Sequence, residues 1–218
     1  MAVKIVAVSD LHGWLPPSLP SCDLLLIAGD ICPDFPGSGS RTNRWFVAAR
    51  QAGWLRVVFS PWLDRQDAGS VALCWGNHDY VGEWPKAEHP PLRARVLTDE
   101  AFDACGLRLY GTPWTFFAPE WWAFDVPVPE LRQRMQRIPD GTDVLITHGP
   151  PFGVLDKVRG QGHAGSRDLA EAVARVQPRV HVFGHIHEGR GQEGTSYNVS
   201  VLDEGYQPYA MPATVIEV

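Results

Sequence analysis

Five segments of this 218-residue chain share one grammar: an apolar run of strand length, rich in Val, Ile and Leu, ending in His or Asp within a short glycine-containing turn. They read KIVAVSDLHG, DLLLIAGDI, VALCWGNHD, DVLITHGPP and RVHVFGHIH. Unbroken apolar runs of this length predict strands buried on both faces, as in a sheet covered by other layers, rather than half-exposed strands. Polar residues collected at the ends of such strands predict a site, because open α/β sheets carry their ligands just outside the carboxyl ends of the strands.

Stretches between the runs read as helices at 41–52, 129–138 and 166–176, the last with Ser166 as N-cap and a stop before Pro178. Further strands are predicted at 93–99, 107–114, 195–202 and 213–218, giving about nine strands with interleaved helices, divided between two packed layers. The Gly- and Pro-rich CPDFPGSGS at 32–40 reads as a loop inside the domain, and no internal repeat is visible.

Composition narrows the function. A net charge of −6 and a pI near 5.7 argue against a broad nucleic-acid surface. Cys22, Cys32, Cys74 and Cys105 are scattered without a CxxC, so neither a zinc ribbon nor a disulfide framework is expected. No apolar stretch approaches the roughly 20 residues that span a bilayer, and the N-terminal run passes into a charged motif without a cleavage site. The expectation is a soluble, cytoplasmic protein with no membrane partner; the sequence does not fix its oligomeric state.

The strand ends bring together Asp10, His12, Asp30, Asn77, His78, Asp79, His148, His185 and His187. Imidazole mixed with carboxylate oxygen suits borderline first-row ions and lacks the thiolates of structural zinc. The set exceeds what one tetrahedral ion uses and suits two ions sharing a carboxylate. His185 and His187, at i and i+2 of an extended segment, are expected to point to the same side.

In this order, D-x-H, GD, GNHD, a strand-end His before Gly, and GHxH, the chain resembles the calcineurin-like metallophosphoesterase family, with all five blocks intact between residues 10 and 187. The resemblance implies a four-layer α/β/β/α sandwich of two mixed sheets flanked by helices, the metallo-dependent phosphatase-like fold, as one domain over 1–218. It also implies two divalent ions, manganese first, with iron, zinc, nickel or cobalt as alternatives. By motif, Asp10, His12 and His187 are expected to bind one ion, Asn77, His148 and His185 the other, and Asp30 both. His78 is expected beside the substrate as a catalytic group oriented by Asp79. Two ions outweigh two ligating carboxylates, which makes a positive centre for phosphate in an acidic protein, and such ions can hold a hydroxide for in-line attack.

A narrower resemblance, carried by LYGTPWTFF, IPDGTDVLITHGPPFG and HVFGHIHEGRG, is to the metallophosphoesterase-domain-containing branch and related cyclic-nucleotide phosphodiesterases. It implies hydrolysis of phosphodiesters, cyclic nucleotides among them, with a small phosphoester or nucleotide as the partner. Some members of that branch carry glycine at the position of His185; retention of the His here favours an active enzyme. The alternatives are a phosphomonoesterase or nucleotide pyrophosphatase with the same centre, and a nucleotide-binding protein with vestigial catalysis.

Outside the blocks, His163 in GQGHAGSRDL is a candidate substrate contact in a glycine-rich loop. Trp114, Phe117, Trp121 and Trp122 suit either a base-stacking rim or loop packing. His181 reads as a core residue. The Asn198-Val-Ser200 glycosylation pattern is set aside because it falls in a predicted strand.

Overall fold

The structure, a computed structural model, describes residues 2–84, 89–116 and 122–218. In chain order its strands are β1 (Lys4–Val8), β2 (Cys22–Ala28), β3 (Ala68–Cys74), β4 (Arg95–Val96), β5 (Glu100–Ala104), β6 (Leu107–Thr112) and β7 (Val144–Thr147). They continue with β8 (Lys157–Val158), β9 (Gly162–His163), β10 (Val180–Phe183), β11 (Gly191–Glu193), β12 (Ser196–Asn198) and β13 (Thr214–Glu217). The α-helices are α1 (Arg44–Trp54), α2 (Ser60–Asp64), α3 (Tyr80–Glu83), α4 (Val128–Gln136) and α5 (Arg167–Val176).

Two mixed sheets result, in the strand orders β13-β1-β2-β3-β4 and β11-β12-β10-β7-β6-β5. The five motif strands are the parallel centres of these sheets: β1, β2 and β3 in one, β7 and β10 in the other. Their alternate residues feed different layers, which explains the unbroken apolar runs. Ile5, Ala7, Leu24, Leu26 and Ala72 face Leu109, Val144, Ile146 and Val182 between the sheets. Val6, Val8, Leu25, Ile27 and Leu73 point the other way, onto Val47, Ala48, Leu55, Phe59 and Trp62. On the far side, Tyr110 and Leu145 pack under Leu131, Met135, Leu169 and Ala172 of α4 and α5. The layers are therefore helix, sheet, sheet, helix, as expected.

Three of the departures from the sequence reading have a plain physical reason. The helix expected at 41–52 continues past α1 through a π turn, Leu55–Phe59, into α2, where Pro61 sits in the first turn and leaves no N–H unpaired. The edge strand β5 lies outside the expected strands because most of its side chains are exposed and it carries no apolar pattern. The strand expected at 93–99 shrinks to two residues at the sheet edge. The helix at 166–176 is capped as read, the Leu169 N–H donating to Ser166 Oγ at 3.1 Å. Among the described residues no helix is long and apolar enough to cross a membrane.

Candidate metal centre

The ends of the five central strands converge, and neighbouring turns are stitched together within each sheet. Asp10 N–H donates to Gly29 O at 3.0 Å, His12 N–H to Asp30 O at 2.9 Å and Gly184 N–H to His148 O at 2.9 Å. Asp10, His12, Asp30 and His185 are held with φ of 54°, 41°, 50° and 68°, a left-handed backbone that costs about 1–3 kcal/mol at each such residue. The glycines of the motifs are required by closeness. A Cβ on Gly76 would collide with the carboxylate and backbone N of Asp30, and one on Gly184 with the Asp10 carboxylate and the Ser9 hydroxyl.

Asp10 is fully buried and aimed by its neighbours. Its Oδ2 accepts from Ser9 Oγ at 2.5 Å and from Ser200 Oγ at 2.7 Å, and its carboxylate also accepts the His185 N–H at 3.0 Å. Its Oδ1 lies 3.5 Å from His187 Nε2. The ring of His187 is turned inward because its Nδ1–H donates to Asp203 O at 2.9 Å. With His12 these form one group of converging ligand atoms.

Asp30, His148 and His185 form a second. The His148 Nδ1–H donates to Ala28 O at 3.0 Å, which directs Nε2 to 2.8 Å from Asn77 Oδ1 and 3.2 Å from Asp30 Oδ2. Asn77 Oδ1 also lies 2.9 Å from His185 Nδ1. Asp30 Oδ2 stands between the groups, 3.7 Å from His12 Nε2 on the other side. All seven residues expected to bind metal thus lie together, and a third group joins His12 to Asp34 and His78. The reason that His185 and His187 serve different groups is not strand alternation, however. His185 is left-handed and His187 opens a 3₁₀ turn, so the segment is not extended.

The protonation pattern follows this geometry. Burial alone would lower His148 and His187, but Asp30 beside the first and Asp10 beside the second outweigh it, and both are pushed up to about 9. Burial dominates at His12 and His185, which fall to about 4. Although burial raises both carboxyls, the surrounding imidazoles hold Asp10 and Asp30 below the usual range. The His12 side chain is buried with neither ring nitrogen hydrogen-bonded. Such an orphaned imidazole, facing oxygen and nitrogen lone pairs, fits a divalent cation.

The calcineurin-like phosphoesterase family profile matches residues 3–189. The chain belongs to that family. The human metallophosphoesterase domain-containing protein 1 is 32% identical over 231 residues, covering 97% of this chain and 70% of that protein. The UPF0046 protein K07C11.7 of Caenorhabditis elegans is 47% identical over 232 residues, covering 96% of this chain and 73% of its own. In fold, TT1561 of Thermus thermophilus superposes with a TM-score of 0.53 at 16% identity, over 93% of this chain and 90% of that one. As a calcineurin-like phosphoesterase, this chain is a metal-dependent hydrolase acting on phosphoesters.

Within this phosphoesterase, one expected role is corrected. Asp79 does not orient His78. Its buried carboxylate accepts backbone N–H groups from Ile31 at 3.0 Å, Cys32 at 2.9 Å and Gly76 at 2.9 Å, locking the GD turn to the GNHD turn. Burial and the charge of Asp30 raise it to about 6. The His78 ring instead pairs through Nδ1 with Asp34 Oδ1 at 2.9 Å and lies under Trp122, ring centroids 4.0 Å apart. Burial opposes its charged form, but Asp30 and Asp34 prevail and its pKa is raised.

Several supporting residues escaped the sequence reading. Asp34 sits in the loop at 32–40, and Ser200, Asp203 and Tyr206 come from the C-terminal segment; Tyr206 packs its ring 4.9 Å from His12. His181 is buried as read and does more than fill space. Thr147 Oγ1 donates to Gly149 O at 2.7 Å, so the 2.9 Å contact makes His181 Nε2 the donor to Thr147, bracing the turn that carries His148. Asn198 is buried, with its Nδ2 donating to Ile186 O at 2.8 Å, which excludes a glycan there in the folded chain. Trp114 is a packing residue, bonded to Asp99 and covered by the Arg134 guanidinium; Phe117 and Trp121 lie outside the described residues.

His163 lies outside the candidate ligand groups but lines the same cavity, of about 710 Å³, as His185 and His187. That cavity is walled by Phe116, Val158 and Phe152.

Proposed function

We propose that this calcineurin-like phosphoesterase binds two divalent ions, manganese in the first instance, and hydrolyses phosphodiesters. The observation that carries the reading is the position of Asp30, whose Oδ2 lies 3.2 Å from His148 Nε2 and 3.7 Å from His12 Nε2 and so belongs to both ligand groups. Asp10, His12 and His187 would hold one ion, Asn77, His148 and His185 the other. When bound, such a pair polarises phosphoryl oxygens and lowers the pKa of water.

The chain's own residues supply the remainder. His78, kept in place by Asp34 and Trp122, presents its other nitrogen as a donor to charge that develops on a phosphoryl oxygen, a role worth about 10²–10⁴ in rate. The apolar-walled cavity beside His185 and His187 supports the choice of a diester over a monoester, because it offers room for an organic group on the phosphate. The resemblance of the chain to the metallophosphoesterase-domain-containing branch supports the same choice.

The test compares a bis-aryl phosphate with the matching mono-aryl phosphate on metal-stripped protein restored with manganese. Faster hydrolysis of the diester, abolished by stripping, is the expected result. Preference for the monoester would make the protein a phosphomonoesterase. Two bound ions without turnover of either ester would favour nucleotide binding.

A further inference from the structure

We propose that His163, oriented by Asp156, is a second acid of this enzyme, delivering a proton to the ester oxygen that leaves into the cavity beside the metal centre. The inference rests on the phosphodiesterase reading. Asp156 is completely buried. Its Oδ2 accepts N–H groups from Gly153 at 3.0 Å and Gly165 at 2.9 Å, and its Oδ1 takes the His163 Nδ1–H at 2.5 Å. A buried carboxylate held by two backbone N–H groups fixes the ring that binds it and commits its Nδ1. Nε2 is then the ring nitrogen left for a ligand.

The ring is also fixed relative to the metal ligands. The β8–β9 hairpin that carries His163 is tied down by the Arg159 N–H, which donates at 3.0 Å to Glu188 Oε1, on the residue directly after His187. Phe152 lies beneath the His163 ring, centroids 5.2 Å apart, and the Arg167 guanidinium covers Phe152 at 3.8 Å. An organic group on the phosphate would therefore meet an aromatic floor, a cation and the His163 imidazole in the cavity that opens on His185 and His187. Among the described residues His78 does not line this cavity. The two imidazoles therefore attend to different oxygens, His78 to the phosphoryl group and His163 to the departing ester.

The step balances without an added reagent. Water forms the new P–O bond, and the P–O bond to the alcohol breaks with its electron pair staying on the leaving oxygen. That oxygen takes the Nε2 proton, and the neutral imidazole is reprotonated from solvent, the entering water having given its proton up.

The test uses two diesters that share one ester group and differ in the other, 4-nitrophenol against an unactivated aliphatic alcohol. His163→Asn keeps an N–H donor where Nδ1 stood and removes Nε2. The expected result is a fall of about 10²–10⁴ in kcat for the aliphatic leaving group, with the nitrophenyl ester nearly unaffected and manganese stoichiometry unchanged. In His163→Gly, added imidazole should restore hydrolysis of the aliphatic ester. Equal slowing of both esters, or no slowing of either, overturns the acid role. Wild-type protein that cleaves neither ester overturns the phosphodiesterase reading and this step with it, a failure visible before any variant is made.

Discussion

Manganese binding at pH 7 should release about two protons per chain, because two of the ligands must give up a proton to bind. His148 and His187 titrate near 9 in the metal-free protein, the first against Asp30 and the second against Asp10, whereas His12 and His185 near 4 are already neutral. A cation needs the lone pair that each proton occupies. Removing a proton at pH 7 from a group that titrates near 9 costs about 3 kcal/mol, so affinity at each ligand group should rise roughly a hundredfold between pH 7 and 9. Titration calorimetry in buffers of different ionisation enthalpy counts the protons directly. Asp30→Asn, which removes the charge facing His148, should lower the count toward one. Stability gives an independent reading of the same groups. A pKa raised above 6.5 contributes stability that is complete below 6.5 and is lost as pH climbs through about 9, so the melting temperature of metal-free protein should fall across that window. A proton count near zero together with a pH-independent affinity would refute the reasoning.

Three substitutions test the supports of the site, and a contrast of two carboxylates joins them. Gly184→Ala places a methyl against the Asp10 carboxylate and the Ser9 hydroxyl and should lose metal while the circular dichroism stays native; full stoichiometry by elemental analysis would count against the packing argument. Ser200→Ala removes one hydrogen bond to Asp10 and should weaken metal binding by about 10- to 100-fold in a competition assay with a chelator. Asp34→Ala should leave metal and melting temperature intact while kcat falls on the order of 10²-fold. Asp79→Asn, by contrast, should cost about 1–3 kcal/mol of stability in denaturant unfolding, since a single amide oxygen cannot satisfy three backbone N–H groups.

The residues of the candidate ligand groups were legible in the chain because chemistry restricts their identity and the strand ends restrict their place. GD, GNHD and GHxH each couple a ligand to a glycine that close packing demands, so the pair is visible together. The residues that aim those ligands were not legible, because any hydroxyl or carboxylate of suitable reach would serve. Ser200 reaches Asp10 from 190 positions away, and Asp34 reaches His78 from 44 positions away, out of a loop whose Pro and Gly content conceals it. The family resemblance implied that Asp79 orients His78, yet the tight turn sends neighbouring side chains in different directions and the backbone amides capture the carboxylate. Secondary structure failed where burial did: β5 offers no apolar pattern because most of its side chains face solvent.

Four of the proposed ligands in left-handed backbone raise the question of what holds them without an ion. At about 1–3 kcal/mol each, the strain in Asp10, His12, Asp30 and His185 would relax in an isolated loop. It persists because Asp10, Asp30 and His185 each stand two residues past the end of a buried strand, with His12 two residues beyond Asp10 in the same turn, and because amides of one turn bond to carbonyls or carboxylates of the next. Asp10 is tied to Gly29, His12 to Asp30 and His185 to Asp10. The two sheets supply the counterforce, which is why ligands gathered from five strands, and not from a single loop, suit this centre. Small metallo-domains of a different kind fold only when their ion binds. Here the interactions that impose the geometry lie within the chain. Metal-stripped protein should therefore keep its far-UV circular dichroism and the slow exchange of the Asp10, His12 and His185 amides. Rapid exchange at those three positions, with the strands still protected, would mean that the ions and not the sheets shape the turns.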